Sequence, residues 1–314
     1  MINKISRIVF MGTPEFAVPS LQALLDHGEN VVAVVSQPDR PKGRGRKLMP
    51  TPVKECAQAA GIAVLQPSKI KTPEFLDSIK ALEPDLIVVV AYGRILPEAI
   101  VNQPSLGTIN VHGSLLPKYR GAAPIQRAIL NGDAKTGITI MKIDAGMDTG
   151  AILLQNSLSI QPDDTTVTMA DKMSDLGGRL LTEALDLMRQ NELTPHDQDN
   201  ALASPAPPLN KDESLIDWTR SAFEISCQIR GLDPWPKAHT TLESKWFRLF
   251  KPTVIPGEPT EPPGTLCRID QDGLVIATEH DYLLIGEVQR EGSKQMPVQA
   301  FLCGYPLKPG LRFG

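Results

Sequence analysis

The sequence predicts an α/β protein in which a mostly parallel sheet, covered by helices on both faces, is followed by a smaller all-β domain. Three observations carry this expectation. Short β-rich apolar runs alternate with segments of helical periodicity through the first part of the chain. Pro205, Pro207 and Pro208 then crowd into a stretch where backbone resists both helix and central strand. Beyond them, short β-like runs are separated by proline and glycine turns, the pattern of a small barrel or sandwich. With 314 residues the chain exceeds the usual size of one hydrophobic core. The expected division is residues 1–203, a proline-rich linker at 204–208, and residues 209–314.

The elements follow in order. Strands are predicted at Arg7 to Met11, Asn30 to Ser36, Ile62 to Leu65, Asp85 to Ala91 and Thr108 to Val111. Between them, Thr13-Pro14, Thr51-Pro52 and Thr72-Pro73 each mark a helix start, because threonine caps orphan N–H groups and proline at the first helical position has none to lose. Two further strands run from Thr136 and from Gly150. A long helix is predicted over Asp164 to Asn191, where Val167, Ala170, Met173, Leu176, Leu180, Ala184 and Leu187 recur every three or four residues. After the prolines come a helix at Ser221 to Arg230 and strands at Phe247 to Phe250, Gly264 to Arg268, Leu274 to Thr278 and Leu283 to Val288.

Composition narrows the function. No apolar run approaches the roughly 20 residues that span a bilayer, and the N-terminal apolar stretch runs into a glycine turn, as a first strand does. Four cysteines without a CxxC pair point away from a disulfide framework or zinc site and towards a reducing cytoplasm. A net charge of -4 opposes wholesale wrapping of nucleic acid, so RNA contact must be local. One such place is Arg40, Lys42, Arg44, Arg46 and Lys47, five cations interleaved with glycine and proline. Its plainer reading is a solvated loop.

Gly12 is weak evidence for a nucleotide site, since Gly-x-Gly-x-x-Gly is missing and a simple strand-to-helix turn explains it equally well. The stretch Gly107 to Gly121 says more. Asn110 and His112 alternate along a strand and so share a face at its carboxyl end, where open parallel sheets bind ligands. An amide beside an imidazole suits acyl transfer, which needs donors aimed at a carbonyl oxygen as it gains charge; the pair taken alone is equally compatible with a structural role. Asp148 lies in a glycine-flanked turn between two predicted strands. Near His112 it would raise the imidazole pKa and hold the imidazolium, whereas Asp144 reads as a turn cap.

Together Asn110-Val-His112, Ser114-Leu-Leu-Pro117, Arg120-Gly121 and Asp148-Thr-Gly150 resemble the 10-formyltetrahydrofolate-dependent formyltransferases, from Arg7 into the C-terminal region. The resemblance implies a Rossmann-like catalytic domain, the formyltransferase fold, which binds no dinucleotide, and a C-terminal OB-like β-barrel. It makes Asn110, His112 and Asp148 the catalytic residues and Ser114, Leu115, Leu116 and Pro117 a folate-contacting segment. Val90, Tyr92, Ile95 and Leu96 would line the pterin pocket, although apolar strand ends are usually core. The loop Gln37 to Pro50 is similar to a basic insertion in the family members whose acceptor is methionyl-initiator tRNA, with Arg44 at the most critical position. That loop is expected to be mobile without tRNA. Trp218 and Asp233-Pro-Trp-Pro236 also look family-like, but acids slightly outnumber bases after Pro207, so the residues of a C-terminal tRNA face stay unassigned. The implied formyl donor is 10-formyltetrahydrofolate, with no metal, no membrane and no obligate protein partner. The rival readings are a formyltransferase acting on another amine, a formyltetrahydrofolate hydrolase, and a non-catalytic tRNA- or folate-binding protein. The last need not keep Asn110, His112 and Asp148 together.

Overall fold

A computed structural model of the chain describes residues 5–42 and 47–314. In chain order the first elements are β1 (Ile8–Gly12), α1 (Val18–Asp26), β2 (Val31–Val35), β3 (Arg40–Lys42), β4 (Lys47–Met49), α2 (Pro52–Ala59), β5 (Val64–Leu65) and α3 (Pro73–Ala81). There follow β6 (Leu86–Val90), α4 (Glu98–Val101), β7 (Thr108–His112), β8 (Arg120–Gly121), α5 (Pro124–Leu130), β9 (Lys135–Lys142), β10 (Ile152–Ser159) and α6 (Thr166–Gln190). The remainder comprises β11 (Pro205–Ala206), α7 (Ala222–Gly231), β12 (His239–Leu242), β13 (Lys245–Ile255), β14 (Leu266–Asp270), β15 (Gly273–Ala277), β16 (Tyr282–Arg290), β17 (Met296–Pro297) and α8 (Val298–Gly304).

The chain forms two compact units: residues 1–121, 137–158 and 170–205 in one, and 122–136, 159–169 and 206–314 in the other. The first holds a sheet of order β10-β9-β7-β6-β1-β2-β5. Neighbours from β7 through β5 run parallel, and β9 runs antiparallel to β7. This is a Rossmann-like mixed sheet. Every residue of β1 and β6 is buried, as strands covered on both faces must be. Two of the three Thr-Pro pairs cap as predicted: Thr51 accepts from the Lys54 N–H and Thr72 from the Phe75 N–H. The third does not. α1 begins only at Val18, and the Thr13 hydroxyl instead donates to the Tyr92 carbonyl at 3.1 Å, tying the exit of β1 to the exit of β6.

Along β7, Val111 faces α6, where a Cβ on Gly177 would lie 3.0 Å from its Cγ1. Asn110 and His112 therefore look to the opposite face. The long helix needs two adjacent glycines mid-way, since a Cβ on Gly178 would approach the Pro19 carbonyl oxygen to 2.9 Å.

The second unit is a mainly antiparallel sheet of order β12-β13-β16-β15-β14, in keeping with an OB-like fold. Trp218, Phe247, Phe301 and Phe313 meet in its core. It also includes α5, which lies early in sequence but packs here: a Cβ on Gly231 would sit 2.8 Å from Leu130 Cγ. The proline-rich stretch is not a bare linker. Prolines lack N–H groups but keep their carbonyls, and those of Pro207 and Pro208 accept from the Arg127 guanidinium at 3.1 and 3.0 Å. Just upstream, Ser204 accepts from the Arg120 and Tyr119 N–H groups. Among the described residues no helix is long and apolar enough to cross a membrane.

Candidate active site

β7 places Asn110 and His112 two residues apart, and the turn between β9 and β10 carries Asp148 to them. His112 Nδ1 lies 3.7 Å from Asp148 Oδ2, too long for a direct hydrogen bond but close enough for strong electrostatic coupling. The other ring nitrogen, Nε2, is 3.0 Å from the Tyr119 carbonyl oxygen. A carbonyl can only accept, so in the neutral ring Nε2 carries the hydrogen and Nδ1 turns its lone pair towards Asp148. Asn110 is the one half-buried residue of β7, and among the described residues its amide makes no side-chain hydrogen bond.

Asp148 adopts a left-handed φ of 54°, a conformation held by its surroundings. Its Oδ2 accepts from the Gly121 N–H at 2.8 Å. The side-chain amide of Gln198 donates to the backbone oxygens of Asp148 and Gly150 at 2.9 and 2.8 Å. Gln198 is a positioning residue that sequence reasoning missed, because nothing in its polar run distinguishes it from solvated loop.

Burial corrects one electrostatic expectation. His112 is 5% exposed, and this desolvation holds its pKa below the ordinary 6.5 against the raising influence of Asp148 and the Tyr119 carbonyl. Burial thus favours the neutral imidazole, against the imidazolium that a carboxylate neighbour alone would favour. Removing the carboxylate charge by Asp148→Asn should lower the His112 pKa further, as an NMR titration of the ring would read. A pKa unmoved by this substitution would show that the two groups do not interact.

The remaining predicted residues sit around this centre in different ways. Ser114 is fully buried, its hydroxyl donating to the Lys118 carbonyl at 2.6 Å, and Leu116 is buried while Leu115 and Pro117 are half-buried. The segment is clamped from β9, since Thr139 Oγ1 bonds both the Ser114 carbonyl and the Leu116 N–H, and from β10 by Gln155 on the Leu116 carbonyl. Val90 and Tyr92 are buried and Leu96 half-buried against the core, whereas Ile95 is 75% exposed. In the basic stretch, β3 and β4 pair antiparallel, Arg40 opposite Met49, where the sequence suggests only a loop. Arg40 is exposed and reaches Gln37. Arg44 and Arg46, and the side chains of Lys42 and Lys47, lie outside the described residues, and so does the expectation of a mobile loop tip.

In a mostly parallel sheet, Asn110 and His112 share a face towards the carboxyl end of β7, with the Asp148 carboxylate 3.7 Å from the imidazole, and comparison with known proteins gives the class to which such a chain belongs. Residues 6–185 match the formyl transferase family and residues 208–306 its C-terminal domain, and the chain belongs to that family. Among its relatives, the methionyl-tRNA formyltransferase of Desulfotalea psychrophila is 53% identical over 302 residues, covering 96% of this chain and 94% of that protein. That of Geobacter sulfurreducens is 48% identical over 308 residues, covering 98% and 96%. Of solved structures, the sugar 3N-formyl transferase WlaRD, determined with dTDP and 5-N-formyl-THF, superposes with a TM-score of 0.66 at 20% identity, covering 93% of this chain and all of that one. HypX from Aquifex aeolicus, in complex with tetrahydrofolic acid, gives a TM-score of 0.63 at 16% identity. It matches 95% of this chain, which spans about half the length of HypX (47%).

Proposed function

We propose that this chain transfers the formyl group of 10-formyltetrahydrofolate to the α-amino group of methionyl-initiator tRNA. The observation that carries this reading is that the chain is about half identical, over nearly its whole length, to proteins named for that reaction, and it is supported by Asn110 and His112 on one strand with Asp148 3.7 Å from His112. The unit built from residues 1–121, 137–158 and 170–205 is the catalytic domain, and the unit built mainly from residues 206–314 is a tRNA-binding domain. Ser114 to Pro117 together with Val90, Tyr92, Ile95 and Leu96 form the folate side of the site, Ile95 being the most exposed of these residues.

The geometry supports the following course of reaction. The neutral amine attacks the formyl carbon, and the new oxyanion takes a hydrogen bond from the Asn110 amide. As the C–N bond forms, the amine becomes acidic and its proton passes to the His112–Asp148 pair, whose free lone pair is on His112 Nδ1. The resulting imidazolium donates from Nε2 to the Tyr119 carbonyl and faces the Asp148 carboxylate 3.7 Å from Nδ1, and its charge stabilises the oxyanion. Collapse of the intermediate breaks the bond to the folate nitrogen, which leaves with the proton returned from the pair. Because the working form has a neutral His112, kcat/KM should hold through neutral pH and fall as pH drops through the lowered His112 pKa. A rate that rises on acidification through that range would contradict this order of events.

Supplying 10-formyltetrahydrofolate with charged initiator tRNA, with glycinamide ribonucleotide or with buffer alone tests the acceptor, and turnover with tRNA only is the expected result. Arg44→Ala separates acceptor choice from formyl chemistry. A guanidinium grips a phosphate through two parallel hydrogen bonds, so its loss should cost about 1–3 kcal/mol in kcat/KM for charged tRNA with folate affinity unchanged. Lysine should restore only part. Equal, small losses for Arg44→Ala and Lys47→Ala at two salt concentrations would reduce Arg44 to one solvated cation among several.

A further inference from the structure

Arg120 brings a positive charge to the edge of this site, and the fold leaves it unbalanced. Its Nε and Nη2 donate to Oε1 of Gln198 at 3.0 and 2.8 Å, and Nη2 also donates to Oδ1 of Asn200 at 2.9 Å. Both acceptors are neutral amides. Arg127, Arg189 and Arg220 sit on carboxylates, but among the described residues Arg120 has none, and its Nη1 has no partner. The two amides thus fix the guanidinium plane without cancelling its charge.

The same frame holds the catalytic carboxylate. Gly121, the next residue, donates its N–H to Asp148 Oδ2, and the Gln198 amide that receives Arg120 at its oxygen grips the Asp148 and Gly150 carbonyls through its nitrogen. A group docked on Arg120 is therefore held in register with the atoms that handle the amine's proton. We propose that Arg120 seats a phosphodiester of the acceptor strand, the one nearest the reacting amine. A half-exposed, pre-oriented guanidinium with a free edge suits a phosphate, and phosphodiesters are the charges that a nucleic-acid acceptor brings. This seat rests on the acceptor assignment made above, and it differs from the basic stretch in lying beside Asp148.

Two minimal acceptors isolate it: 2′(3′)-O-methionyl-adenosine, which has no phosphate, and the same ester of cytidylyl-adenosine, which has one. The protein should use the second better by about tenfold or more, the worth of one charge-assisted contact. Arg120→Gln, which keeps an amide of similar length and drops the charge, should bring that ratio close to one whatever the absolute rates, and Arg120→Lys should retain part of it. Titrating uncharged cytidylyl-adenosine against adenosine asks the same question without turnover, with the preference again lost in Arg120→Gln. A ratio near one in the unaltered protein, or a full ratio kept by Arg120→Gln, overturns the phosphate seat. An equal fall on both acceptors with no change in their ratio overturns it too, showing that Arg120 acts only through Gln198 on Asp148. Failure to formylate charged tRNA itself would instead overturn the acceptor assignment.

Discussion

Asn110→Ala and His112→Ala should each lower turnover by about 10²- to 10³-fold or more while tetrahydrofolate binding changes little. In the proposed mechanism the two residues act at different moments. Asn110 keeps an amide free of internal partners, so its hydrogen bond is available to the oxyanion and is strongest when that charge is fully formed. His112 takes up charge as the reaction proceeds, in a site dry enough that each electrostatic contact counts for more than it would in water. Because both serve one intermediate, the double variant should be less impaired than the product of the single losses. Stopped-flow turnover with charged tRNA, beside equilibrium binding of tetrahydrofolate, makes the separation. Near-normal rates in both single variants would remove the mechanism.

Gly150→Ala should be nearly as damaging, though Gly150 touches no substrate. A Cβ there would fall 1.9 Å from the Lys142 carbonyl oxygen, and this neighbour is β9 backbone, unable to rotate aside. The turn must move instead, and with it the Asp148 and Gly150 carbonyls that accept from Gln198, which shifts the Asp148 side chain. A displacement of about 1 Å at a catalytic group can cost on the order of 10²-fold in rate, and overpacking of this kind adds about 1–3 kcal/mol of destabilisation. Gly146→Ala in the same turn is the control. Its Cβ would meet Thr149 Oγ1 at 2.0 Å, a side-chain atom that can swing away at the cost of its bond to Asp144. Comparable rate losses for the two substitutions would mean that the turn's position does not govern catalysis.

The contrast marks what was legible in the sequence. β1, β2 and β6 were, because buried parallel strands are short unbroken apolar runs. Asn110 and His112 were too, since alternation along a strand fixes their common face. What escaped depended on partners far away in the chain. Gln198 is one amide in a polar run until Arg120, Asp148 and Gly150 are brought to it, and α5 reads as an ordinary helix of the first domain until Leu130 is seen packing beside Gly231. The charge on His112 was misjudged because sequence shows a carboxylate neighbour but not the burial that outweighs it. The proline stretch read as a linker because missing N–H donors are visible in sequence, whereas the use of proline carbonyls as acceptors is not.

The clasp at Gln198 and Ser204 also sets when the enzyme can come into being. Strands β1 to β7 lie within the first 112 residues and can pair as the chain leaves the ribosome, but Arg120 and Asp148 wait for partners 78 and 50 positions later. Ser204, which receives the Tyr119 N–H, lies 85 residues on. Domains fold as units during synthesis, and contacts of such separation close last. A nascent or truncated chain ending before Gln198 can therefore possess Asn110, His112 and Asp148 in sequence and still lack them as a working constellation. Competence to act on a charged tRNA arrives only with the segment that leads into the second unit.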